Sequence, residues 1–403
     1  MGSNAEADIL IAGGGPAGML AGLLFARAGI RTLVLEKHAD FFRDFRGDTV
    51  HPSTMEILDQ LGLLQRFLER PHHRLNSAEL IWNGRLMKLG DLSHLHTPAP
   101  FIAMMPQWDF LDFLRDEAEV YPGFNLRMEA QVAGFIDPGG RITGVRLASG
   151  EELRASRLVI AADGRDSLVR SQNMLPLESL GAPIDVFWFA VPKQASGTSL
   201  RGVVDGSSLL VQIDRGDYWQ CAYVIAKGMA EPIKARGIEA FRQMVRSAAP
   251  DMPALDAALP DWDAVRLLSV SLDRLTSWHR PGLLAIGDAA HAMSPVGGVG
   301  INLAIQDAVA AANYLAAPIA AGRNPDYLLH KVQERRLWPT QLVQRAQRAA
   351  HEGFLQPLVS GQITTRQPPR LVRTLDRFPM LRRIPGRLIG LGIRRERLTA
   401  PKA

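Results

Sequence analysis

The sequence predicts an α/β fold: a Rossmann-type unit, an inserted antiparallel β-sheet domain and a helical C-terminal segment. Three observations predict it. A short apolar run ends in a glycine triplet and is followed by a helical pattern and a second strand. Two further apolar runs, residues 158–162 and 283–286, have the same buried-strand style and each ends in a glycine–aspartate turn, Asp163-Gly164 and Gly287-Asp288. Between them, residues 184–275 change to strand-like runs with tight turns, the pattern of a separate sheet.

The leading element is the most informative. Residues 9–12 form a continuous apolar strand, as expected for a parallel strand covered on both faces. Gly13, Gly15 and Gly18 follow, with Pro16 and Ala17 between the last two. The first glycine permits a tight turn, the second lets a pyrophosphate approach the backbone, and the third lets helix and strand pack closely. The apolar helical pattern of 19–28 ends at Gly29, a suitable C′ residue. Residues 31–35 give a second strand closing on Glu36, whose carboxylate suits a ribose diol. Strand, triplet, helix, strand and acid at this spacing predict a dinucleotide site, with the pyrophosphate at the helix N-terminus. An acid rather than a base at position 36 favours FAD or NAD over NADP.

Bulk properties set the limits. At 403 residues the chain exceeds one simple core and suggests two domains, with a third allowed. A composition of 47% hydrophobic and 22% charged residues is that of an ordinary soluble protein. No apolar run reaches the ~18–20 residues that span a bilayer, and the N-terminus carries no charged-then-apolar leader. A single cysteine, Cys221, excludes an internal disulfide and a multi-cysteine metal site, and fits a reducing cytoplasm. The net charge of +5 is uneven: ten arginines lie between Arg366 and Arg397, against Asp376 and Glu396. They read as a solvated or domain-docking helical tail, with a loose membrane-surface contact as the lesser alternative. Nucleic acid is not expected, since no recognised module accompanies them.

In chain order, a helix begins near Ser53, a natural N-cap, and ends by Gly62. Residues 78–90 form a hairpin around Asn83-Gly84, and a helix led by Gln107 runs to 118. Residues 125–136, 142–147 and 153–160 read as a three-stranded meander. The strands 185–191, 208–213 and 218–225 precede a helix at 238–248. A turn at Arg215-Gly216 joins the last two strands, pairing Ile213 with Tyr218, Val211 with Gln220 and Gln212 with Trp219. The Ser294–Gly300 glycine loop opens an alanine-rich helix over 301–316, and helices at 327–350 and 384–393 finish the chain. The expected division is residues 6–77, 101–180 and 276–325 for the dinucleotide domain, 78–100 and 181–275 for the sheet domain, and 326–403 for the C-terminal segment.

With these motifs in this order, residues 8–325 resemble the class A flavoprotein monooxygenases, the aromatic hydroxylase family with the para-hydroxybenzoate hydroxylase fold. The resemblance rests on Gly13-x-Gly15-x-x-Gly18 with Glu36, on Asp163-Gly164 with Ser167 and Arg170, and on Gly287-Asp288 with Ala289-Ala290-His291 and Pro295. It implies that Gly13, Gly15, Ala17 and Gly18 carry the FAD pyrophosphate turn and Glu36 the adenosine ribose. Arg46 and Gln107 match positions that contact the phosphates and the ribityl or ring region. The Val132 backbone borders the adenine, and Asp288 bonds the ribityl chain. The N–H groups of Gly298, Val299, Gly300, Ile301 and Asn302, after Pro295, face flavin N1 and O2, where charge develops on reduction. Asp163 is either a cofactor or nicotinamide contact or a structural turn residue. Arg46 reads alternatively as a surface salt bridge. His291 reads as structural, and His51 is left open.

The resemblance implies non-covalent FAD, a transient NAD(P)H co-substrate, and oxygen transfer from a flavin C4a-hydroperoxide to an aromatic or polyketide-like small molecule. A reductase or dehydrogenase on the same fold, without oxygen insertion, is the alternative. Positioning and water exclusion are then the protein's share, and no catalytic triad is expected. Val211, Ile213, Tyr218, Gln220 and Pro295 are the expected pocket residues; the competing reading packs that sheet face on a helix. A monomer or homodimer is expected. The chain lacks the Trp-x-Trp-x-Ile-Pro halogenase signature, a second glycine-rich FAD motif and a thioredoxin-like C-terminal domain.

Overall fold

A computed structural model describes residues 6–42, 49–193, 200–250, 252, 254–362 and 367–403. Its first sheet runs His279–Arg280, Leu283–Ala285, Glu152–Ala161, Ala7–Ala12, Thr32–Leu35, Phe124–Arg127. All neighbours pair in parallel except the first two. Ile9, Leu10 and Ile11 are fully buried, which explains their uninterrupted apolar run. The Pro16–Arg27 helix packs on the sheet so closely that a Cβ on Gly22 would lie 2.8 Å from Val34 Cγ2. It also packs on the Gln107–Ala118 and Gly300–Ala320 helices, and all share the largest apolar core. The segment Val296–Ala320 is long and apolar enough to cross a membrane, but most of it is buried in this core.

A second, seven-stranded sheet runs Arg266–Ser269, Ile184–Pro192, Tyr218–Ala226, Ser208–Asp214, Leu200–Asp205, Ser77–Trp82, Arg85–Asp91. It is antiparallel apart from the pairing of Leu200–Asp205 with Ser77–Trp82. One face carries Phe187, Phe189, Cys221 and Tyr223 and packs on Phe241 and Val245 of the Ile238–Ala248 helix. The other carries Val186, Val211, Ala222 and Val224 and packs on Leu355 and Leu358.

Three local expectations are corrected. The run expected at 125–136 is two strands: Phe124–Arg127 joins the parallel sheet, and Val132–Ile136 pairs antiparallel with Gly144–Leu147. Glu129 takes a left-handed φ of 55° at the break, where Glu129 and Ala130 donate their N–H groups to His38 and Glu36. The helix expected to be capped by Ser53 is Pro52–Gln60, with Pro52 in its first turn and His51 at the cap. The hairpin turn is centred one residue later, on Gly216 and Asp217, so Ile213 pairs with Gln220, Val211 with Ala222 and Gln212 with Cys221. The Asp214 carboxylate accepts the Gly216 N–H at 2.8 Å, an Asx turn that shifts the loop. The shift is two residues in register, so Val211, Ile213, Tyr218 and Gln220 still share a face.

After the last helix the chain returns to the first sheet's core. Glu396 pairs with Arg335 and Arg336, and the Ala403 N–H reaches the Arg27 carbonyl.

Candidate cofactor and substrate site

The first glycine turn is built for a close backbone neighbour. Gly13 has φ 107°, and a Cβ there would lie 2.3 Å from the Ala162 carbonyl oxygen, in the strand end preceding Asp163. A Cβ on Gly18 would lie 1.9 Å from the Gly13 oxygen. Gly15 is different: its Cβ would meet nothing within 4 Å. Two glycines therefore hold the turn together and the third leaves an open cradle at a helix N-terminus, where a pyrophosphate fits.

Glu36 closes one side. It is nearly buried, and its carboxylate accepts the Gly14 N–H at 2.9 Å and the His38 N–H at 3.1 Å. The Ala130 N–H to Glu36 carbonyl bond brings the segment that leads into Val132 alongside. Gln107 starts its helix, and the adjoining Trp108 ring lies 4.9 Å from Phe42. Arg46 lies outside the described residues.

The second and third motifs are clipped to each other. Asp163 Oδ2 accepts the Leu168 N–H at 2.9 Å, capping the short Leu168–Ser171 helix together with Ser167. Its Oδ1 is buried with no partner among the described residues, and burial raises the carboxyl above its ordinary pKa despite the Ser167 and Leu168 hydrogen bonds. Arg170 pairs with Asp273 at 2.7 Å and donates to the carbonyls of Asp288, at 2.6 Å, and Ala289, at 2.9 Å. Asp288 is partly exposed, with Oδ2 accepting from Arg165 Nε at 3.2 Å, so its carboxylate is within reach of a ligand. Gly287, with φ 61°, sits where a Cβ would be 3.1 Å from Ala17 Cβ and 3.2 Å from Ala304 Cβ. The three glycine motifs thus converge.

A buried charge network behind Asp288 has no signal in sequence spacing. His291 Nε2 lies 2.6 Å from Asp307 Oδ2, which also accepts the Gly287 N–H, and Arg336 donates to Asp307 Oδ1 at 3.0 Å and to Glu396 at 3.3 Å. Burial works against the charge of Asp307, but His291 and Arg336 outweigh it and hold its carboxyl below the ordinary range.

The loop after Pro295 opens the Gly300–Ala320 helix. Gly297 and Gly298 both have left-handed φ, 83° and 62°. The Gly298 N–H is used within the turn, donating to the Pro295 carbonyl, which corrects its place in the expected donor set. Leu303 to Val299 is the first helical bond, so Val299, Gly300, Ile301 and Asn302 supply the free first-turn donors. The Asn302 Oδ1 accepts from Ser53 and Thr54, which ties this helix start to Pro52–Gln60. Thr49 Oγ1 and His51 Nε2 both lie 3.0 Å from the Gly298 carbonyl oxygen, and His51 Nδ1 lies 2.8 Å from that of Ile389. His51 is fully buried, and burial lowers its pKa although both carbonyls favour its charged form.

On the sheet side, Val211 belongs to the same apolar cluster as Val296, Phe354 and Trp188, and Ile213 to one containing Ile389 and Leu391. The face expected to line a pocket is therefore covered by C-terminal helices, in a cluster that Val296 of the Pro295 loop also borders. Gln220 is buried but satisfied, accepting from Arg215 Nε at 2.8 Å. Burial pushes the Arg215 guanidinium down to about 10, leaving it charged at neutral pH. Sequence reading passed over Arg215 as a turn residue.

Comparison with known proteins shows the family. The family model described as an FAD binding domain matches residues 6–346. The 6-methylpretetramide 4-monooxygenase of Streptomyces rimosus is 30% identical over 384 residues, covering 94% of this chain and 91% of that protein. The chain belongs to the FAD-dependent aromatic monooxygenases. The rifampicin monooxygenase of Streptomyces venezuelae is 32% identical over 341 residues, covering 80% of this chain and 66% of the relative. In fold, this monooxygenase is similar to PqsL of Pseudomonas aeruginosa, with a TM-score of 0.74 at 22% identity over 88% of this chain and 98% of PqsL. The open cradle at Gly15, the satisfied Glu36 and the partnerless Asp163 oxygen fit an extended FAD.

Proposed function

We propose that this monooxygenase uses NAD(P)H and O2 to hydroxylate a polycyclic, polyketide-like aromatic bearing an acidic phenol or enol. Bound FAD supplies the hydride acceptance and oxygen transfer. The chain's own residues position and shield it. Glu36 takes the adenosine ribose, the Gly15 cradle the pyrophosphate, Asp288 the ribityl chain, and the donors of Val299–Asn302 the negative edge of the reduced ring. Residues 6–77, 101–180 and 276–325 form the cofactor unit in this reading, and 78–100 with 181–275 the substrate sheet.

The observation that carries the substrate reading is the single apolar cluster containing Val211 of the sheet and Val296 of the Pro295 loop. In this reading it brings an apolar sheet face toward the ring's expected edge. Arg215, charged and mostly buried on that same face, suits a phenolate or enolate oxygen. The names of the pretetramide and rifampicin relatives support a polycyclic substrate. A reducing, cytoplasmic setting fits the free, buried Cys221. The test is a screen of phenolic polycyclic compounds for stimulated NAD(P)H oxidation, with 18O2 incorporation as the readout. Stimulated oxidation with labelled product supports the reading; product without label favours hydride transfer alone.

A further inference from the structure

A surface helix normally turns its large apolar residues inward. The Arg383–Leu391 helix buries Leu391 and part of Ile389 but leaves two other large apolar residues outside. Two glycines let it sit close to the strand beneath: a Cβ on Gly386 would lie 2.0 Å from the Asp91 carbonyl oxygen, and one on Gly390 2.8 Å from both Leu92 and Leu95. Ile384 and Leu388, one turn apart, instead face solvent at 60% and 50% exposure. The preceding Arg370–Arg377 helix docks through Asp376, which accepts the Lys88 N–H and pairs with Arg85. Leu371 there, and Phe378 and Met380 in the connecting turn, are likewise exposed. Both helices rest on the Arg85–Asp91 strand, so these exposed apolar side chains gather along one edge of the second sheet, more of them than the scattered single residues of an ordinary surface.

The face is framed in one sign of charge. Arg370, Arg373, Arg377, Arg383 and Arg387 surround it, and Asp376, the one acid in residues 368–391, is already paired. At the far end, Arg387 also lines a cavity of about 590 Å³ together with Arg335, Arg394, Arg395, Arg397 and Glu396, whose carboxylate is already paired with Arg335 and Arg336. The guanidiniums of Arg387, Arg394 and Arg397 have no hydrogen bond or ion pair among the described residues. A second copy of the chain would set these arginines against themselves, so the charge calls for an anionic occupant.

We propose that this face docks on an anionic phospholipid membrane. Leu371, Phe378, Met380, Ile384 and Leu388 enter the headgroup–acyl boundary, the arginines contact lipid phosphates, and the cavity beside Arg387 seats a headgroup phosphate. This inference is independent of the substrate proposed above.

The test is flotation of the FAD-loaded full chain with vesicles of phosphatidylglycerol and phosphatidylcholine in equal parts, and with phosphatidylcholine alone. Binding to the anionic vesicles should exceed that to the neutral ones by about tenfold or more, and should fall as salt is raised. Ile384→Ser with Leu388→Ser should lower it by about tenfold, with the bound-flavin spectrum unchanged. Arg383→Gln with Arg387→Gln should remove the anionic preference, and Val120→Ser, on another exposed surface, should change neither. Absence of anionic-vesicle binding, or equal binding by the Ile384/Leu388 variant, overturns the proposal. So does sedimentation showing a dimer that this variant abolishes, which would assign the face to a second copy.

Discussion

Gly287 and Ala17 touch so closely that a methyl group added to the glycine would stand 3.1 Å from the Cβ of the alanine. One residue belongs to the turn before Asp288, the other to the first turn of the leading helix. Their contact locks the first glycine turn to the third. Gly287→Ala meets both this crowding and a left-handed φ of 61°. It should cost about 1–3 kcal/mol of stability in urea denaturation and lower the flavin content of the purified protein.

Glu36 already holds the Gly14 and His38 N–H groups in the cradle wall. Glu36→Ala removes a charged acceptor from both and from the ribose. FAD affinity, measured by fluorescence titration of the apoprotein, should weaken by about tenfold to a hundredfold. Glu36→Gln, which keeps an acceptor oxygen, should lose less.

Asp288 and Arg165 form a pair about one-third exposed on each side, and such pairs stabilise a fold little. Asp288→Ala should therefore release FAD far more than it lowers the melting temperature. Normal flavin occupancy in this variant would remove Asp288 from the ribityl contact.

Asp307 is a carboxylate held below its ordinary pKa inside the protein, against the cost of burial, by His291 and Arg336. A carboxyl depressed in the folded state stabilises the fold above its unfolded pKa. That contribution is lost as pH falls through the depressed value. The protein should thus lose stability on acidification below about pH 4. Asp307→Asn leaves Arg336 with Glu396 as its remaining carboxylate and should be about 1.5–3 kcal/mol less stable at neutral pH, with a flatter acid limb in denaturation at stepped pH.

The parts of the site that sequence reading reached are those encoded within one turn of backbone. Gly13 and Gly18 are legible because their spacing answers a local steric need, Gly15 because it leaves open the cradle between them, and Glu36 because it ends the next strand. The Asp307–Arg336–Glu396 chain was not legible, since its members meet across elements far apart in sequence and no period links them. The hairpin register was misread because Asp214, counted as a strand residue, turns its carboxylate onto Gly216. The single strand expected at 125–136 hid a sheet change, because a left-handed Glu129 leaves no mark on hydrophobic alternation. Face assignment of Val211 and Gln220 survived the register error only because the slip was an even number of residues. What covers that face, Phe354 and the helices beyond, comes from chain more than a hundred residues later.

The central claim is that three glycine motifs hold one extended FAD, with its ring against the loop after Pro295. A crystal structure of the FAD complex measures this directly. The pyrophosphate is expected over Gly15, the ribose on Glu36, and the isoalloxazine N1–O2 edge within hydrogen-bond distance of the Val299–Asn302 amides. A ring lying away from that loop, or an adenine nucleotide without an isoalloxazine, would contradict it.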